Sequence, residues 1–186
     1  GFIDAVAEFD PLFFGISPHE AMSMDPHQRL LLTHAIAAIE DAGYAPSDFA
    51  GSDMAVFLGT NASGYAERLV RGRRTIESYT STGAVPSVGP NRLSYYLDLH
   101  GPSEPIETAC SSSLVAIHRA IQAIQSGHCD AALAGGVNTL VTPDYHISFS
   151  HAGMLCEDGR CKSFSDRANG YVRGEGVGML LLKRLS

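Results

Sequence analysis

Thr108-Ala109-Cys110-Ser111-Ser112-Ser113-Leu114 is the stretch on which the reading of this chain turns. Ahead of it runs Gly101-Pro102-Ser103-Glu104-Pro105-Ile106-Glu107, turn residues leading into a short extended segment. After it, Leu114, Ile117, Ile121 and Ile124 recur three, four and three residues apart. That spacing predicts a helix with these four side chains on one face, and Gly127 is its expected stop. Cys110 therefore falls where a strand turns into a helix. Unpaired amides and the positive dipole end of the helix both favour a thiolate there. Ala109 and the three serines keep bulk away from the sulfur. This context marks Cys110 as a candidate nucleophile that carries an acyl group. The alternative is an inert packed thiol, the usual condition of a free cysteine.

The rest of the chain supplies the layers around this turn. Asp25-Pro26-His27-Gln28-Arg29 opens a helix, with Asp25 as N-cap and Pro26 at the first position, and Gly43 ends it. Apolar residues on more than one face place that helix between layers. In residues 1–24, Phe13 and Phe14 are expected to anchor an irregular loop to the core. Short apolar runs bounded by turn residues predict three buried strands, over 53–60, 130–138 and 176–183. Gly135 and Gly136 allow close backbone approach in the second of them. Residues 61–92 are polar and weakly periodic, which predicts loops and short helices of the kind that shape a site. Helices are expected over 91–97 and 145–154. Strands alternating with buried helices define an α/β layered domain, with no internal repeat and no low-complexity tract.

Of the 186 residues, 45% are hydrophobic and 18% are charged, enough for a sizeable core in one domain or most of one. A net charge of −7, with no basic run longer than Arg71-Gly72-Arg73-Arg74, argues against a nucleic-acid partner. That cluster reads as a solvated loop. No apolar run approaches the length of a membrane span, and Gly1-Phe2-Ile3-Asp4 lacks the pattern of a signal peptide. The missing initiator methionine suggests an excised piece of a longer protein. Cys110, Cys129, Cys156 and Cys161 form no metal-site spacing. Without an export signal they read as reduced thiols in a cytoplasmic protein. The eight histidines form no ligand pair, so no metal is expected.

Three motif readings fail on context. Gly174-Glu175-Gly176-Val177-Gly178 precedes a predicted strand, whereas a dinucleotide fingerprint opens a helix; a tight turn is the better reading. The serines after Cys110 lack the flanking glycines of a nucleophile elbow, and Cys110 lacks the local signatures of cysteine proteases. His118 lies two helical turns beyond Cys110, about 12 Å along the axis, too far for direct proton transfer.

Several blocks in order resemble the ketosynthase domain of modular type I polyketide synthases, in the thiolase-like superfamily. They are Phe13-Phe14-Gly15-Ile16-Ser17, Asp25-Pro26-His27-Gln28-Arg29-Leu30-Leu31-Leu32, Thr108 to Leu114, Gly153-Met154-Leu155 with Asp158-Gly159-Arg160-Cys161-Lys162, and Gly170 to Gly176. The resemblance covers nearly all of residues 1–186 and implies the N-terminal half of a layered α-β-α-β-α fold. Departures are small: His27 stands where Gln is usual, Glu107 and Asn169 where Asp is usual. Glu104-Pro105-Ile106-Glu107 is similar to ketosynthases served by separate acyltransferases.

The resemblance implies that Cys110 accepts an acyl chain from the phosphopantetheine arm of an acyl carrier protein. Condensation with a malonyl-type extender, with loss of carbon dioxide, would follow. No cofactor is bound directly. The family's histidines, in H-G-T-G-T and N-x-G-H blocks, do not occur within residues 1–186. A homodimer is implied, with residues 103–109 at its two-fold axis. The alternatives are a non-elongating ketosynthase that only transfers and gates acyl chains, and an inactive fragment.

Overall fold

The computed structural model describes residues 1–72 and 75–185. Its helices and strands run in the order α1 (Pro18–Ala21), α2 (Pro26–Asp41), β1 (Ala55–Gly59), α3 (Tyr65–Arg71), α4 (Thr80–Ala84), α5 (Val88–Leu97), β2 (Ser103–Ile106), α6 (Ser112–Gln125), β3 (Ala131–Asn138), α7 (Asp144–His151) and β4 (Gly176–Lys183). Asp25 caps α2 by accepting the His27 amide, and Pro26 takes the first turn, where its missing N–H costs nothing. Gly43 leaves the helix at φ +83°, a conformation that glycine adopts without strain.

The four strands form one sheet in the order β2-β1-β3-β4. β2 and β3 run parallel to β1, with Val56 opposite Ser103 and Leu133, while β4 returns antiparallel to β3, pairing Ala131 with Lys183 and Asn138 with Gly176. All five residues of β1 are buried, as a strand covered on both faces must be. Alternation divides it between two cores. Val56 and Leu58 face Leu31, Leu32, Ile39 and Leu93 of α2 and α5, and Ala55 and Phe57 face Ala116, Ala120 and Ala123 of α6. The result is an α/β/α stack in which α6 is, among the described residues, the helix packed on the second face of the sheet.

Several expectations are corrected here. α6 exists, but only half of the leucine–isoleucine stripe faces inward: Ile124 is buried and Ile117 half-buried beside Ala116, Ala120 and Ala123, whereas Leu114 is 70% exposed and Ile121 40%. Small residues line both partners, Ala132 and Ala134 on β3 and the alanines on α6, so the helix axis comes close to the sheet, with Leu114 and Ile121 turned away from it. β4 is a strand, but at the sheet edge; it is only partly buried, with Leu180 46% exposed. Gly176 and Gly178 lie within β4 instead of forming a tight turn. A side chain at Gly135 would strike the Gly178 carbonyl, so glycine here serves strand-to-strand approach. Phe14 is the buried anchor of the N-terminal segment, stacked on Phe9 and against Tyr96, whereas Phe13 is 55% exposed and only leans edge-on against it.

α5 begins at Val88, ahead of the expected start, and α7 ends at His151. The segment over 61–92 holds α3, α4 and the start of α5, as short helices were expected to do. In the basic cluster Arg71 ends α3 and pairs with Asp144 at 3.1 Å, while Arg73 and Arg74 lie outside the described residues. No helix among the described residues is long and apolar enough to cross a membrane.

Candidate active site

Cys110 occupies the turn between β2 and α6, at the end where the parallel strands β1 and β3 also terminate. Its thiol is exposed. The residue before it, Ala109, is held at φ +53°, a left-handed conformation costing a non-glycine residue about 1 kcal/mol or more. Such a kink persists only where neighbours over-determine it, and here the serines do so. The Ser111 hydroxyl donates to the Thr108 carbonyl at 2.8 Å and lies 2.8 Å from the Thr108 hydroxyl. Ser112 Oγ donates to the Ala109 carbonyl at 2.7 Å and accepts the Thr108 amide at 2.9 Å. The serines expected only to keep bulk away also lock the turn.

Because Ser111 spends its hydroxyl on Thr108, it gives the first turn of α6 no side-chain cap. The N-terminus of this fourteen-residue helix begins two residues beyond Cys110, with Ser111 between them as the N-cap. Two glycines let this helix end descend onto the sheet. A Cβ on Gly59 would lie 2.9 Å from the Ser113 nitrogen, and one on Gly136 would lie 3.0 Å from Ser113 Cβ. Gly59 is a site-shaping residue that the sequence reading passed over; its only signal was a glycine ending an apolar strand. His118 is an exposed residue on α6, and nothing brings it to the sulfur.

A buried polar hub behind these strand ends also escaped the sequence reading. Asp25 accepts the His27 amide on one oxygen and the Ser63 hydroxyl on the other. Gln28 Nε2 donates to the carbonyls of Thr82, Gly83 and Val85, and its Oε1 accepts Arg92 Nε at 2.9 Å, while Arg92 pairs with Glu20 at 2.6 Å. The Thr139 amide donates to His27 Nε2 at 3.0 Å. Further along, Glu175 accepts the amides of Leu140 at 2.9 Å and Ile3 at 3.2 Å. The Gly-Glu-Gly motif is thus a carboxylate clamp between the N-terminal segment, the end of β3 and the approach to β4. Burial pushes the Cys129 thiol up, which fits an inert thiol beneath α6 and separates it from exposed Cys110.

The described residues thus form a three-layer α/β unit that presents one exposed cysteine on a kinked strand-to-helix turn. The chain belongs to the beta-ketoacyl synthase family: residues 1–186 match its N-terminal domain. It is 58% identical over 185 residues to polyketide synthase PksN of Bacillus subtilis (strain 168), covering 100% of this chain and 3% of that protein. It is 50% identical to the pikromycin polyketide synthase component PikAII of Streptomyces venezuelae, again over 100% of this chain and 5% of the relative. Among solved structures, the ketosynthase from module 6 of the bacillaene synthase of Bacillus subtilis 168 superposes with a TM-score of 0.89 at 43% identity. That match covers 98% of this chain and 31% of the other. The oxazolomycin ketosynthase domain of Streptomyces albus gives 0.90 at 39% identity, over 100% and 33%. The chain thus spans a few per cent of its curated relatives and about a third of the solved ketosynthases.

Proposed function

We propose that residues 1–186 form the N-terminal half of a ketosynthase domain in a polyketide assembly line, with Cys110 as its acyl-accepting nucleophile. The observation that carries this reading is the exposed Cys110 thiol on a locked strand-to-helix turn, in a chain that matches the family along its whole length. The Cys110 thiolate attacks the carbonyl of an acyl chain held as a thioester on the phosphopantetheine arm of an acyl carrier protein. The pantetheine sulfur leaves and takes up a proton, and the acyl group stays on Cys110. Before that sulfur leaves, the Cys110 amide would donate one hydrogen bond to the oxyanion of the tetrahedral intermediate. In the second half-reaction a malonyl-type extender on a carrier protein loses carbon dioxide. Its enolate attacks the Cys110 thioester and returns the thiolate. The histidine blocks that the resemblance assigns to this step do not occur within residues 1–186, so residues 1–186 alone would not elongate a chain.

The partner implied is an acyl carrier protein, and the expected setting is the cytoplasm. An open edge on β2, which pairs only with β1 among the described strands, supports a homodimer joined near residues 103–109. Incubating the complete ketosynthase domain with an acyl-thioester donor and mapping the adduct by peptide mass spectrometry tests the reading. An acyl mass on the Cys110 peptide, absent in Cys110→Ala, is the expected result. A folded domain without that adduct would reduce Cys110 to a scaffold thiol.

A further inference from the structure

His27, in the first turn of α2, is 2% exposed. Its Nε2 accepts the Thr139 amide at 3.0 Å, so the neutral ring must carry its proton on Nδ1. An imidazolium would place a second donor on Nε2 against the Thr139 N–H, and that bond would be lost. Nδ1 is itself buried and makes no well-formed hydrogen bond, the Asn61 backbone being the group that favours its proton, and the residue lines a small cavity with Asp25, Thr60 and Asn61. Thr139 lies three residues beyond Gly136, and Asn61 two residues beyond Gly59. Those glycines are the points where the first turn of α6 rests on the sheet.

We infer that His27 is a positioning residue for the Cys110 site: as a neutral ring it pins the ends of β3 and β1 under α6, and its protonation releases them. The inference rests on the acyl-accepting role of Cys110. Burial holds the ring below its ordinary value of 6.5, outweighing the Asp25 carboxylate and the Asn61 backbone, which favour the proton. Asp25 already serves His27 N–H and the Ser63 hydroxyl. The other ionisable groups on the surrounding elements are engaged elsewhere: Arg29 with the Ala7 carbonyl, Tyr65 with the Met22 carbonyl, Arg92 with Glu20, and Glu175 with two amides. A folded-state pKa depressed below the unfolded one contributes stability that is fully present above 6.5 and is lost as pH falls through the lowered value.

Glutamine at this position tests the ring chemistry directly. Its amide oxygen can accept the Thr139 N–H and its NH2 can replace Nδ1–H, without titrating. The complete ketosynthase domain, wild type, H27Q and H27A, is followed by hydrogen exchange across 59–65 and 136–142 at a series of pH values, after correction for intrinsic exchange. In parallel, Cys110 acylation by an acetyl N-acetylcysteamine thioester is timed by mass spectrometry. As pH falls through the lowered value, below 6.5, the wild type should lose protection in both segments. Its acylation rate should fall about fivefold relative to H27Q, the effect of one lost hydrogen bond, and the ratio should be flat above. H27A should be slow at every pH. Superimposable profiles for wild type and H27Q overturn the inference, as does lost protection with no change in acylation. If Cys110 takes no acyl group at any pH while the exchange difference persists, the acyl-accepting reading fails and the hold of His27 on the two strand ends remains.

Discussion

Replacing Gly59 with alanine would put a methyl group where the fold has helix backbone. A Cβ there lies 2.9 Å from the Ser113 nitrogen, 3.0 Å from the Ser112 carbonyl carbon and 3.1 Å from Ser112 Cβ, against the 3.4–4 Å of ordinary contact. One side must give by several tenths of an ångström. β1 is buried at every residue between two cores, so the movement falls on the first turn of α6 and on Cys110 beside it. Overpacking of this kind costs about 1–3 kcal/mol. Alanine recovers about 0.5–1 kcal/mol by narrowing the unfolded ensemble. The net loss is about 0–2.5 kcal/mol by the same principles, a fall of up to several degrees in melting temperature. A nucleophile misplaced by 1 Å can lose about a hundredfold in rate, so a shift of a few tenths should slow acylation about three- to tenfold. The assay is the rate of acyl-adduct formation on Cys110 in the complete domain, beside a thermal melt. Gly176→Ala is the matched control, since nothing lies within 4 Å of a Cβ there. A Gly59→Ala domain that melts and acylates like wild type would refute the packing argument, as would an equal loss in the control.

Two further outcomes follow from the packing and the carboxylate clamp. Ala120→Leu adds bulk on the face of α6 that meets Phe57, Ala132 and Ala134, and should cost about 1–3 kcal/mol in a denaturant titration, whereas Leu114→Ala, on the exposed face, should cost far less in residues 1–186. Glu175→Ala leaves the Leu140 and Ile3 amides without their acceptor. It should cost about 2–4 kcal/mol by melting, with Glu175→Gln recovering part of it because one amide oxygen can still accept.

Local chemistry made much of this protein legible before any fold was known. Asp25-Pro26 starts α2 and Gly43 stops it, because capping, proline's fixed φ and glycine's left-handed freedom act within a few residues. Cys110 stands at a strand-to-helix turn for the same reason: Pro102 and Pro105 extend the chain ahead of it, and a helical run follows. The strands at 55–59, 131–138 and 176–183 were legible as apolar runs between breakers.

Tertiary structure decided what spacing could not. Periodicity put Leu114, Ile117, Ile121 and Ile124 on one face of α6, yet depth of approach put Ala116, Ala120 and Ala123 against the sheet beside Ile117 and Ile124 and left Leu114 and Ile121 exposed, since Ala132, Ala134, Gly59 and Gly136 open a shallow seat. Burial of β4 depends on whether a neighbour covers its second edge, a property of sheet order rather than of the strand. The hub of Asp25, His27 and Gln28 joins segments up to 112 residues apart, and no local pattern marks which backbone amide a buried imidazole will meet. Sequence by itself determined where the backbone turns and where the thiol sits. Only packing decided which atoms hold that turn in place, because long-range contacts are set by the shapes of all the layers at once.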